Sequence, residues 1–208
     1  MDFSDELRAC TQSFIRLSPE QIAALEQHWL LLERWNRRIN LTAIRSPRDA
    51  IRRHYAESLF LGARLPPAWA SDPLLLVDVG SGAGFPGFPI AVSHPNWQVT
   101  LCESHTRKGV FLSEAARLVS NVRVHIGRAE ELPAHYHLLT SRAVSWSSLE
   151  PLQLAPRAAL LSSAGFASQF ASKRWRLLSV EPIPWDSSKC ACYLDRRIDG
   201  PNELPVAA

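Results

Sequence analysis

Along the chain the apolar positions follow two regimes. Near the N-terminus they recur at helical spacing. "SPEQ" at Ser18 to Gln21 offers a serine N-cap, a proline in the first turn and a glutamine three residues after the cap, and Ile22, Leu25, Trp29, Leu32 and Trp35 then share one face. A second start signal, "SPRD" at Ser46 to Asp49, opens a helix with Ile51, Tyr55, Ser58 and Leu59 on one side and Arg48, Arg52 and Arg53 on another. "PPAWASDP" at Pro66 to Pro73 breaks this pattern and predicts a boundary between an N-terminal helical extension, 1–70, and a second unit, 71–208. Beyond it Leu74 to Val79 is a short, nearly continuous apolar run that reads as a buried strand, and "WQVTLCE", "VRVHIG" and "YHLLTSRAV" read as a second, third and fourth strand. Helices are predicted up to about Ser93 and over "RKGVFLSEAARLVS". Strands alternating with helices predict an α/β fold with a doubly wound, mostly parallel sheet. In the last third, Leu149 to Leu161 reads as a helix despite Pro156, Gly165 to Phe170 as a strand, and "RWRLLSVEPI" with "KCACYLDRR" as a closing hairpin.

Composition narrows the classes. The 208 residues, 46% hydrophobic and 21% charged, suit one main core. No apolar run approaches the ~18 residues of a membrane span. The acidic, amphipathic start lacks the basic flank and long apolar stretch of a secretory signal, so cytoplasmic residence is expected. Cys10, Cys102, Cys190 and Cys192 are too unevenly spaced for a disulfide framework, and the CxC has no partner ligands, so free thiols and no metal site are expected. A monomer is expected. The net charge is +3, but eight arginines lie between Arg34 and Arg64 against Asp49 and Glu57. Guanidinium groups bind phosphate in a bidentate way and stack on bases, which suits nucleic acid.

The chemistry centres on "LLLVDVGSGAGFPGFPIA", Leu74 to Ala91. A glycine turn between a first strand and a helix lets the backbone approach a ligand closely. Two registers compete. Gly82, Gly84 and Gly87 satisfy GxGxxG, the dinucleotide fingerprint, with Glu103 about 20 residues on. That register would put Asp78 and Gly80 inside a buried strand, where a charge is costly and a glycine weakening. Gly80, Gly82 and Gly84 read as GxGxG instead end the strand at Asp78 or Val79, placing the acid at its exposed end. "DVGSGAG" in this register is the pattern of class I S-adenosylmethionine methyltransferases, with Glu103 as acceptor for the ribose hydroxyls.

"WNRRINLTAIRSPRDAIRRHYAESL", the glycine turn, "GRAEEL" and "LTSRAV" together span Trp35 to Val144. In this order and spacing the chain resembles the ribosomal RNA small subunit methyltransferase G family, formerly glucose-inhibited division protein B. The resemblance implies a Rossmann-like class I fold with an N-terminal helical extension. It also implies methyl transfer from S-adenosylmethionine to N7 of a guanine in 16S rRNA, free or in an assembling small subunit. By position, Gly80, Phe85, Ala129, Glu130 and Arg142 match residues that contact the cofactor in that family; Asp78, Gly82, Gly84 and Glu103 complete the expected site. Guanine N7 carries a lone pair and no hydrogen, so no acid or base is required. His54 and Arg142 are then candidates for ordering the site. Arg37, Arg38, Asn40, Arg45, Arg52 and Arg53 are the candidate RNA contacts.

The chain also departs from the family. Where the family shows a "KPGG"-like turn and an apolar run ending in Lys-Gly, this chain has "LSSAGFASQFASKRW", with Lys173 a few residues downstream, and too little chain for the usual connecting helix. Glu57 stands where the family tends to have Asp. A non-catalytic RNA-binding or ribosome-assembly protein on the same fold is therefore the alternative, and an NAD(P)-dependent oxidoreductase a more distant one.

Overall fold

The computed structural model describes residues 2–69 and 73–197. Helix α1 (Phe3–Thr11) is capped by Asp2, and α2 (Pro19–Asn36) starts with the predicted reciprocal capping box between Ser18 and Gln21. Ile22, Leu25, Trp29 and Leu32 are buried on its inner face. Ser46 caps the second predicted helix, which is α3 (Pro47–Ala50), a π-helical segment (Ile51–Ala56) and α4 (Glu57–Ala63) in continuous succession. The wider π turn carries His54 and Tyr55, both buried. Among the described residues no helix is long and apolar enough to cross a membrane.

Seven strands form one sheet: β1 (Leu75–Val79), β2 (Gln98–Glu103), β3 (Val122–Ile126), β4 (Leu138–Arg142), β5 (Arg157–Ser163), β6 (Trp175–Ile183) and β7 (Asp186–Arg196). Their order is β3-β2-β1-β4-β5-β7-β6, with β1 to β5 parallel and β7 antiparallel to both neighbours. Alternate residues serve opposite faces. Leu76, Leu101, Ala159, Leu161, Ala191 and Tyr193 join α1, α2, α4, α5 (Gly87–Ser93) and α6 (Thr106–Ala115) in one core. Val77, Cys102, Leu160, Cys192 and Leu194 face the other side, which is covered by short elements only: α7 (Trp146–Leu149), α8 (Phe166–Gln169) and 3₁₀ turns. The helices preceding Pro66 thus share the core of the sheet. The predicted boundary falls partly on residues 70–72, outside the described residues.

The hairpin β6–β7 forms as predicted, and Cys102, Cys190 and Cys192 lie on strands as free thiols. Two predicted elements are exchanged. The stretch 149–161 is not one helix, because "RAALL" enters the sheet between β4 and β7, buried on both faces. A short apolar run of this kind is ambiguous between helix and strand until its neighbours are known. Residues 165–170 are not a strand: Phe166 and Phe170, one helical turn apart, pack together at 5.6 Å through the four-residue α8. The connection between β5 and β6 is short, as the sequence indicated.

Candidate active site

Strand β1 ends at Val79, and the chain then takes left-handed conformations at Gly80 (φ 72°), Gly82 (φ 58°) and Gly84 (φ 89°). These are the three glycines of the GxGxG register. Gly87 serves a different purpose, since a Cβ there would lie 2.5 Å from Leu101 Cδ2 and 2.7 Å from Asp78 Cβ, so it lets α5 sit directly on the sheet. The turn is tied to β2: the Gly80 and Ser81 amides donate to the Cys102 carbonyl at 2.9 and 3.0 Å. Glu103, buried, accepts from the Gly82 amide at 2.9 Å through one oxygen and from the His105 amide at 2.8 Å through the other. The predicted ribose acceptor is thus also the clamp of the glycine turn, and each oxygen keeps lone pairs for a ligand.

Asp78 corrects one expectation. It is wholly buried inside β1, not exposed at its end. The Thr140 hydroxyl donates to Oδ1 at 3.0 Å, while Oδ2 has no hydrogen-bond partner of good geometry. Burial pushes its pKa up to about 6, with Ser81, Thr140, the Gly87 amide and the Arg142 charge opposing the rise. A charge in a buried strand is costly, but here the fold bears part of that cost.

Beyond the turn lies a cavity of about 200 Å³ at the carboxyl ends of β1, β2 and β3, lined by Gly80, Ser104, Ala129, Glu130, Val144 and Leu149 among others. Ala129 is buried and small; Glu130 is exposed. Phe85 does not line this cavity. Its ring is buried against His54 (4.6 Å, stacked), Tyr55 (5.1 Å) and His28 (5.4 Å), with the Arg142 guanidinium 5.2 Å from its centroid. Gly84 likewise packs inward, where a Cβ would meet His28 Nε2 at 3.2 Å.

Arg142 and His54, predicted as partners, are in contact. Arg142 Nη1 lies 3.0 Å from His54 Nδ1 and donates to the Arg53 carbonyl at 3.0 Å. His54 Nδ1 also lies 3.1 Å from the Arg53 carbonyl oxygen, and Nε2 lies 2.8 Å from the Thr42 hydroxyl oxygen. Burial, and then the Arg142 charge, hold the His54 pKa down to about 3. Nearby, burial pushes Glu57 up to about 7 against the attraction of Arg142 and Lys189. Arg142 also lines a second cavity of about 190 Å³ at the ends of β4 and β5, with Val144, Trp146, Ser163, Phe166 and Lys189. Val144 belongs to both cavities. Between β1 and β4 the strand order reverses, and ligands of open α/β sheets bind outside the carboxyl ends at such a point.

The arginine-rich segment does not form one patch. Arg37, Arg38 and Asn40 wall a concavity of about 350 Å³ with His105, Arg107 and Lys108. Arg45, next to Arg37, donates to the Asn36 carbonyl. Arg52 and Arg53 are on the π turn; the Arg52 carbonyl accepts from Trp185 and the Arg53 carbonyl from Arg142. Sequence reasoning missed Ser104, Val144, Trp146 and Lys189 in the cavities, and Asn36, whose side chain bonds the Leu41 and Thr42 backbone. Only Asn36 carried a local signal, as an amide ending a helix before a tight loop.

Residues 21–158 match the family model GidB, rRNA small subunit methyltransferase G. The chain belongs to the rRNA small subunit methyltransferase G family. A curated family member of Roseiflexus castenholzii is 38% identical over 147 residues, covering 67% of this chain and 61% of that protein. One of Xanthomonas euvesicatoria pv. vesicatoria is 44% identical over 126 residues, covering 59% of this chain and 57% of that protein. The matched region therefore spans about three fifths of the length of these relatives. Among solved structures, magnesium protoporphyrin IX methyltransferase (ChlM) from Synechocystis PCC 6803 with bound SAM aligns with TM-score 0.58 at 12% identity, over 88% of this chain and 99% of that one. A SAM dependent methyltransferase from Aquifex aeolicus aligns with TM-score 0.52 at 13% identity, over 72% and 93%. This member of the methyltransferase G family therefore has the Rossmann-like class I methyltransferase fold.

Proposed function

We propose that this chain transfers a methyl group from S-adenosylmethionine to N7 of a guanine in 16S rRNA, free or within an assembling small subunit. The observation that carries the reading is the pair of cavities meeting at Val144, at the point where strand order reverses. Transfer between two ligands needs two adjoining sites, and membership of the family supports the choice of ligands.

The first cavity and the turn beside it fit an adenosine. Gly80 and Ala129 keep the cavity wall free of large side chains and Glu130 there offers an acceptor to the adenine amine, while Glu103, between the lining residues Cys102 and Ser104 but not itself in the wall, keeps lone pairs for ribose hydroxyls. When bound, S-adenosylmethionine supplies an electrophilic methyl group on a sulfonium. In the second cavity Trp146 and Phe166 offer flat surface to a base, and Arg142 and Lys189 are donors suited to guanine O6. Guanine N7 attacks through an in-plane lone pair, so nothing in the chain must take a proton. His54 agrees with this: held neutral by burial and in contact with the Arg142 guanidinium, it helps to place that group instead of acting as a base. Alignment of the two ligands is then the main source of rate. In this reading residues 1–70 contribute RNA contacts, 71–208 hold the reacting groups, and the protein acts as a cytoplasmic monomer.

The test is incubation of the purified chain with methyl-labelled S-adenosylmethionine and small-subunit rRNA, followed by nucleoside analysis. Label in 7-methylguanosine is expected. Cofactor binding without transfer would favour the non-catalytic assembly protein.

A further inference from the structure

The concavity between the loop after α2 and the start of α6 has a composition that nothing in the cofactor site requires. Its wall brings Arg37, Arg38, Arg107 and Lys108 together from two elements about 70 residues apart, with Asn40 and His105, and contains no carboxylate. Elsewhere Arg34 pairs with Glu114 and Arg48 with Glu6. Among the described residues, none of the four in the wall has a carboxylate ion pair. Arg107 and Lys108 also occupy the first turn of α6, a turn with no acid and no side-chain cap, where the helix already presents positive partial charge. Four like charges at one concavity repel each other unless an anion enters.

The wall is held in shape before any ligand arrives. Asn36 fixes the Leu41 and Thr42 backbone, the Arg38 and Ile39 amides close on the Trp35 carbonyl at 2.8 and 3.0 Å, and His105 is tied to Glu103. At about 350 Å³ the space is roomier than a phosphate group, and the two arginines can grip one bidentately. We propose that this concavity holds a backbone phosphate of the RNA substrate, anchoring the strand beside the end of β2 while the target base enters between β4 and β5. The assignment rests on the proposed RNA methyl transfer, and it adds Arg107 and Lys108 while separating this anchor from Arg52 and Arg53.

The test uses the full chain with Arg37→Gln/Arg38→Gln, Arg107→Gln/Lys108→Gln and the quadruple variant. Affinity for a small-subunit rRNA fragment is measured against salt, with S-adenosylmethionine and inorganic phosphate titrated in parallel. Each pair is expected to weaken RNA binding roughly tenfold and to lower the slope of log affinity against log salt by roughly 0.7 for each phosphate no longer neutralised. The quadruple variant should fall short of the product of the two effects, because both pairs grip the same phosphate; cofactor affinity should not change. An unchanged slope, or fully multiplicative effects, would overturn the proposal. Lost cofactor affinity would assign the site to the cofactor carboxylate, and phosphate binding with an unaltered RNA slope would assign it to a small free anion. Either outcome overturns the RNA anchor. Wild-type protein that shows the slope but no methyl transfer would refute the proposed function alone; transfer with an unaltered slope in the variants would refute this site alone.

Discussion

Replacing Gly80 by alanine tests the glycine turn with two separable costs. At φ 72° an L-residue pays roughly 1–2 kcal/mol for the left-handed conformation. In addition the new Cβ would stand 2.6 Å from Val144 Cγ2, an overlap of the kind that costs ~1–3 kcal/mol in packed regions. Val144 is half-buried and can yield in part, so a total loss of about 2–4 kcal/mol is expected, a sizeable share of an ordinary domain's ~5–15 kcal/mol. Because Gly80 and Val144 line the same cavity, cofactor affinity should fall by at least about tenfold, the effect of ~1.4 kcal/mol. Urea denaturation and calorimetric titration with S-adenosylmethionine read the two effects. Val144→Ala in the Gly80→Ala background should recover the overlap and leave the conformational cost. Unchanged stability and cofactor affinity in Gly80→Ala would refute the assignment of the turn; full recovery in the double variant would refute the conformational part.

Two further perturbations follow from buried groups. His28 and His54, both held down to about 3 by burial, bind no proton in the folded chain between pH 3 and 6.5, whereas they do when unfolded, so stability drops on acidification below pH 6.5. Glu57, raised to about 7, has the opposite sign: it costs stability as pH rises from 4.5 through 7. Glu57→Gln is therefore expected to raise stability above pH 7 and to steepen the loss between pH 6.5 and 4.5; a denaturation series with parallel pH profiles for both proteins would contradict this. Gly87→Ala, with Cβ against Leu101 and Asp78, should lower stability by roughly 1–3 kcal/mol, and a thermal midpoint within a degree of wild type would be against the close packing of α5 on β1.

Local chemistry made much of the fold legible. The Ser18–Gln21 capping box, the Ser46 cap and the β1 run, apolar but for Asp78, announce themselves within a few residues. Arg157–Ser163 did not, because what makes it a strand is its insertion between β4 and β7, partners distant in sequence. The site divides in the same way. Gly80, Ala129, Glu130 and Arg142 lie in recognisable motifs, and each lines a cavity. Phe85 and Asp78 lie in the same motif yet point into packing, since only the fold decides which side of the turn faces the N-terminal helices. Lys189 joins Arg142 through the register of β7 against β5, where it stands opposite Ser163, and no spacing along the chain reveals that.

The central claim, methyl transfer to guanine N7 in small-subunit RNA, is tested most directly by mapping 7-methylguanosine along 16S rRNA from cells with and without this protein, and from cells restored with wild type or with Gly80→Ala. The account predicts one position that loses its modification without the protein, regains it with wild type and stays largely unmodified with the variant. An identical map in all four would contradict it.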